Sequence, residues 1–228
     1  MMSKHLQRDL ENTERELLAL SSRVEEMIRT AVRALCERRP ALAKQVISQD
    51  SEIDEREVRL EEECLKILAL HQPVARDLRR TATVMKVTND LERIADLAVN
   101  IAERSLSVAS YPEFPIPETL VRMVEGATAM VRDALDSLVA LDADQARDVC
   151  IRDEEIDSLN RDLINELYET MRAEPAALET GMHLFSAARH VERIADHATN
   201  IAEDVIYLVE GEIARHKYDH VELSQKAR

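Results

Sequence analysis

Residues 92–103 read ERIADLAVNIAE, and one hundred positions later residues 192–203 read ERIADHATNIAE. On a helix turning about 100° per residue, Glu92, Asp96, Asn100 and Glu103 share one stripe, while Leu91, Ile94, Ala95, Ala98, Ile101 and Ala102 form another. The acids face outward and the aliphatics face a core. Two such helices in one chain make the protein read as a duplicated, all-α fold.

The flanking sequence extends this plan. From Leu6 to Arg38 apolar residues recur at three and four (Leu10, Leu17, Val24, Ile28, Leu35), the period of an amphipathic helix. A second helix is predicted from Ala41 to Leu70, ended by His71-Gln72-Pro73 because the residue before a proline avoids the α conformation. A third runs from Val74 or Ala75 to Val108.

Three prolines between Pro112 and Pro117 then make a stiff linker. Beyond it the pattern repeats, with helices predicted over 118–141, 143–173 and 177–215. The reading is therefore six long helices in two tandem three-helix bundles. The expected division is 1–109, first bundle; 110–117, proline-rich linker; 118–215, second bundle; 216–228, a polar tail. Short connections within each bundle favour antiparallel neighbours.

Composition agrees, with three glycines in 228 residues and only 3% aromatics. That is a helix-building profile. The net charge of −15 is spread along the chain and opposes nucleic acid and anionic lipid. Arg76-Asp77-Leu78-Arg79-Arg80 is a local basic run, read as a solvated helix start. Cys36, Cys64 and Cys150 lack CxxC spacing and read as buried, reduced thiols. No leader and no apolar run of about 18 residues is present, so a cytoplasmic protein without membrane insertion is expected.

Helix two carries Asp50 and Asp54, and helix five carries Asp153 and Asp157. If helices two and three fold back at Pro73, Asp54 lands opposite residue 92 and Asp50 opposite residue 96. Reflection near Pro175 brings Asp157 and Asp153 close to Glu192 and Asp196. Four carboxylates at one crossing cannot all ionise cheaply without a cation among them. Oxygen donors in that number suit Mg, Mn, Ca or Fe, and the lack of Cys or His in the stripe argues against Zn. An ordinary solvated acidic face is the alternative, with Arg189 placed to pair with Glu192 three residues on.

The repeated (Glu/Asp)-x-x-x-Asp on the last helix of each bundle, within ERIAD…NIAE, resembles the PhoU family of bacterial phosphate-signalling regulators. So do the Pro73 break and the Arg76-Asp77-Leu78-Arg79 segment, and the resemblance spans roughly residues 5–215. It implies a cytoplasmic, non-enzymatic negative regulator of phosphate uptake and of the phosphate-starvation response. Such a protein couples the phosphate ABC transporter to a sensor histidine kinase. Carried over, the metal-binding pairs are Glu92 with Asp96 and Glu192 with Asp196, and the ion is left open among Fe, Mn, Mg, Zn and Ca. A homodimer, reaching the inner membrane through protein partners, is also implied.

Two other classes compete. A ferritin-like di-metal enzyme wants Glu-x-x-His motifs aimed into a four-helix core. Here Glu92 and Glu192 are each followed three residues later by alanine, and the stripes face outward. A metal-free helical adaptor would carry the acids for solubility alone. His183, His190 and His197 recur every seven residues. Steps of about 10.5 Å are too long for one ion, so packing at a bundle edge or dimer interface is their expected use.

Overall fold

The structure, a computed structural model, describes residues 4–111 and 114–212. Seven α-helices account for nearly all of them: α1 (Lys4–Cys36), α2 (Pro40–Ile47), α3 (Asp50–His71), α4 (Ala75–Ala109), α5 (Glu118–Ala140), α6 (Ala143–Ala173) and α7 (Leu178–Glu210). A single 3₁₀ turn, Pro175–Ala177, precedes α7. Helices α1 to α4 form one bundle and α5 to α7 the other, so the six-helix plan holds with one interruption.

That interruption divides the second predicted helix. Ser48 N–H still donates to the Lys44 carbonyl, but at Gln49 the backbone bond tightens to a three-residue step, its N–H donating to the Val46 carbonyl at 3.0 Å. The Ser48 hydroxyl also donates to the Gln45 carbonyl at 2.8 Å. This local bonding competes with the helical ladder. The helix restarts at Asp50, with Asp50 and Glu52 in its first turn, where the positive end of the helix dipole favours acids. One site residue is thereby placed at a helix N-terminus.

Other ends follow their local chemistry. Gln72, at the α3 C-cap, is left-handed with φ 47°, and Pro73 prevents continuation. Asp142 accepts from the Asp144 and Gln145 backbone N–H groups and caps α6. At the far end, α7 stops at Glu210 because Gly211 takes the left-handed conformation, φ 78°, whereas the sequence period suggested helix to Arg215. The expected polar tail, 216–228, lies outside the described residues.

The aliphatic stripe of each repeat is the core. Leu91, Ile94, Ala95, Ala98, Ile101 and Ala102 are buried, as are Val191, Ile194, Ala195, Ala198, Ile201 and Ala202. One apolar core runs through both bundles, because α4 and α7 pack antiparallel against each other at the centre. Small alanines there allow close approach, and the larger Leu and Ile side chains each contribute about 1.5–3 kcal/mol by burial. With both aliphatic stripes used at this seam, both acidic stripes are left on outer faces.

Candidate metal-binding faces

On the first face the α3–α4 hairpin juxtaposes the two acid sets as the reflection about Pro73 requires. Asp50 lies within electrostatic reach of Asp54, Asp96 and Glu103. Its carboxyl is pushed above the usual range first by partial burial, then by those three charges. Glu92 is raised by burial and by Asp96, Glu57 and Asp54, with only Arg93 opposing. Asp96 is raised by loss of water and by Asp54, again opposed by Arg93. Arg93 itself is exposed and leans on Asn89 Oδ1 at 3.3 Å. The face is an under-compensated anionic cluster.

The second face keeps the helix pairing, with Asp153 inside the unbroken α6 where Asp50 opens α3, and changes the charges. Asp196 is raised by burial, Glu192 and Asp157, but His197 and Arg189 oppose. Asp157 is raised by burial and Glu154, while Arg161 and Arg189 pull it down. Arg189 Nη1 pairs with Glu192 Oε2 at 3.0 Å, and Arg161 Nη2 with Glu154 Oε1 at 2.9 Å. The pairing expected of Arg189 is thus present. Burial pushes the Cys150 thiol up to about 12, with Glu203 and Asp153 adding to the rise.

Glu103, which the sequence placed on the stripe, acts on Asp50, and Glu57, which the argument from sequence did not put in the site, acts on Glu92. The signal was available: reflection about Pro73 sets Glu57 opposite residue 89, one turn from Glu92. Its counterpart, one hundred and three positions on, is the buried Asn160, while Ser51 is matched by Glu154, so the second face loses an acid at one position and gains one at another.

Every donor on these stripes is a carboxylate or amide oxygen, which fits a hard cation and not a soft one. Among the described residues no three His, Cys, Asp or Glu side chains converge tightly enough to enclose one ion. The acids stand splayed, as like charges do. Binding a cation would therefore require their long side chains to swing inward.

The other singled-out residues are structural. His183 stacks against Tyr111 at 5.8 Å, and His197 Nδ1 meets Asp90 Oδ1 on α4 at 2.8 Å. His190 is held below its ordinary pKa by burial and by Arg104 and Arg193. All three line the seam between bundles. In the basic run, Arg80 pairs with Glu14 of α1, and Arg79 lies against Gly211 at the end of α7. Arg80 is thus tied to a neighbouring helix, and Arg79 packs beside the end of α7. The cysteines are free thiols, with Cys64 and Cys150 buried and Cys36 only half-buried.

The PhoU domain family matches this chain twice, over residues 17–105 and 120–205, once per bundle. The chain belongs to the PhoU family. Its relatives include phosphate-specific transport system accessory protein PhoU homologs of Pseudomonas putida, 39% identical over 94% of this chain and 84% of the relative, and of Aquifex aeolicus, 39% identical over 92% and 96%. The crystal structure of PhoU from Pseudomonas aeruginosa superposes with a TM-score of 0.87 at 38% identity, covering 90% of this chain and 99% of that one. The phosphate transport system regulatory protein PhoU from Streptococcus pneumoniae gives 0.86 at 28% identity, covering 92% and 99%. The PhoU family is one of regulatory accessory proteins, so the di-metal enzyme reading is set aside.

Proposed function

We propose that this PhoU-family protein is a negative regulator of phosphate uptake and of the phosphate-starvation response. It couples components of a phosphate ABC transporter to a sensor histidine kinase, and its two acidic faces hold metal ions. The observation that carries the reading is the duplicated outward acid face, Glu92 with Asp96 and Glu192 with Asp196, on a fold matched to a PhoU structure over 90% of this chain.

The faces are suited to a cation because Glu92 and Asp96 on the first and Asp157 and Asp196 on the second are held above the usual carboxylate range, first by burial and then by neighbouring acids, with basic side chains opposing only in part. A bound cation supplies the missing positive charge. Asp50, Asp54, Asp153 and Asp157 extend the donor set from the neighbouring helix, and Mg, Mn, Ca and Fe fit it better than Zn. No helix among the described residues is long and apolar enough to cross a membrane. That supports a cytoplasmic regulator that meets the inner membrane through protein partners.

The test is a clean deletion in a host carrying the transporter. High-affinity phosphate uptake should become constitutive in phosphate-replete medium and return to control when the wild-type chain is restored. Normal phosphate control in the deletion strain would remove the proposal. A chain with Glu92, Asp96, Glu192 and Asp196 all neutralised should restore control poorly, whereas full restoration would separate regulation from the acid faces. Sedimentation of the purified protein tests the homodimer that the resemblance implies.

A further inference from the structure

Where α6 packs against α5 and α7 it buries Ile156, Leu159, Leu163 and Leu167, and within that aliphatic run stands one amide. Asn160 is 4% exposed, and its Oδ1 is buried with no hydrogen-bond partner among the described residues. An acceptor held there has lost its bonds to water and gained none from the protein, a cost that a leucine at the same place would not carry.

Duplication shows what the amide stands beside. One hundred and three positions back is the half-buried Glu57, whose charge helps to raise Glu92 on the first acid face. In the second repeat Asp157, one turn before Asn160 on α6, helps to raise Asp196. Reflection about Pro175 or Ala176 sets residue 160 opposite residues 190–192. The amide thus belongs to the crossing of α6 and α7 that carries Glu192.

The groups around this crossing explain why the oxygen has no donor. Ionised carboxylates only accept, so Asp157, Glu192 and Asp196 cannot satisfy an amide oxygen, and the nearby Arg189 is bonded to Glu192 at 3.0 Å. A cation is the partner that all four oxygens share, and amide oxygens are ordinary ligands of hard divalent ions.

We infer that the Asn160 amide oxygen is a further ligand of the second acid face, the neutral member of a donor set made with Asp157, Glu192 and Asp196. The inference rests on the cation binding proposed above and adds a ligand that the acid pattern does not contain. Neutrality suits the depth of the position. An amide there adds a bond to the ion without adding a charge, whereas a carboxylate would be buried and uncompensated whenever the ion is absent.

The test uses the full chain after chelator treatment. Asn160→Leu should weaken the class of Mn2+ sites lost with Glu192 and Asp196 by about tenfold or more, the scale on which altered metal surroundings act, and leave the class lost with Glu92 and Asp96 unchanged. Asn160→Asp, which keeps an oxygen at the place, should bind Mn2+ at the second class at least as tightly as wild type, and its melting temperature should fall without the ion and recover with it. In 15N-labelled wild type the Asn160 side-chain NH2 resonances, identified by their absence in Asn160→Asp, should shift with Mg2+ in step with the backbone amides of residues 192–196. Unchanged second-class affinity in Asn160→Leu, weakened affinity in Asn160→Asp, or NH2 resonances that stay still while residues 192–196 shift would overturn the inference and leave the acid face standing. Circular dichroism checks that each variant folds, and if Asn160→Leu does not, the Asn160→Asp and resonance outcomes decide. No saturable Mn2+ binding in wild type would instead remove the cation reading itself.

Discussion

At position 89 the first acid face has an asparagine, and at the matching position 189 the second has an arginine. Three further differences point the same way, against one, Ser51 matched by Glu154, that adds an acid to the second face. Val58 faces Arg161, Glu57 faces Asn160, and Leu97 faces His197 in the aligned repeats. On the second face Arg189 and Arg161 pull Asp157 down, and His197 joins Arg189 in pulling Asp196 down. On the first, Arg93 is the cation that opposes the rise of Glu92 and Asp96, and none opposes that of Asp50. Duplication has preserved the helix pairing of the site, except that Asp50 opens a helix where Asp153 lies inside one, while its electrostatics have diverged. The first face should therefore bind cations more tightly, and the second should lean on its own arginines when no ion is bound.

The largest effect should come from neutralising one face at a time. Glu92→Gln with Asp96→Asn should weaken Mn2+ binding at the tighter class of site by at least about 10–100-fold, the scale on which altered metal surroundings act. Glu192→Gln with Asp196→Asn should touch only the weaker class. Calorimetric titration of chelator-treated protein measures both, and equal losses from the two pairs would break the asymmetry. A smaller effect follows from Arg189→Asn, which gives the second face the residue of the first. Its Mn2+ affinity should rise by up to about tenfold, a change of about 1.4 kcal/mol. An unchanged affinity would mean that the Arg189 ion pair opens without cost.

The smallest effect is on stability. In metal-free protein the raised acids of the first face bind protons more tightly when folded than when unfolded. Their contribution is present at and below the ordinary carboxylate range near about pH 4 and is lost as pH rises through the raised values. His190, lowered in the fold, works in the opposite direction around its ordinary pKa. The difference between chains isolates the acids. With Glu92→Gln and Asp96→Asn, the melting temperature near pH 7.5 should rise by a few degrees at most, since exposed like-charge pairs cost only a few tenths of a kcal/mol each. Near pH 4 the two chains should converge. A variant less stable than wild type at pH 7.5 would show that the acids form bonds worth more than their repulsion.

Much of this was legible in the sequence because it rests on periodicity. The spacing of Leu91, Ile94, Ala95 and Ala98 specified a buried stripe, and Pro73 specified a hairpin, so the meeting of Asp50 and Asp54 with Glu92 and Asp96 followed from reflection. What escaped was set by local bonding. The break before Asp50 depends on Ser48 and Gln49, whose polar run reads equally as exposed helix. The helix end at Gly211 was hidden because Ile213 and Ala214 continue the apolar period. The burial of Asn160 required knowing how closely α6 packs against its neighbours, a contact no single-helix pattern encodes.

The central claim is that residues 89 and 189 rank the two acid faces as cation sites. The direct measurement is a Mn2+ titration of the doubly swapped chain, Asn89→Arg with Arg189→Asn, beside wild type. In wild type the tighter sites should be those lost with Glu92 and Asp96; in the swapped chain they should be those lost with Glu192 and Asp196. The same ranking in both chains, or no saturable binding in either, would contradict the account.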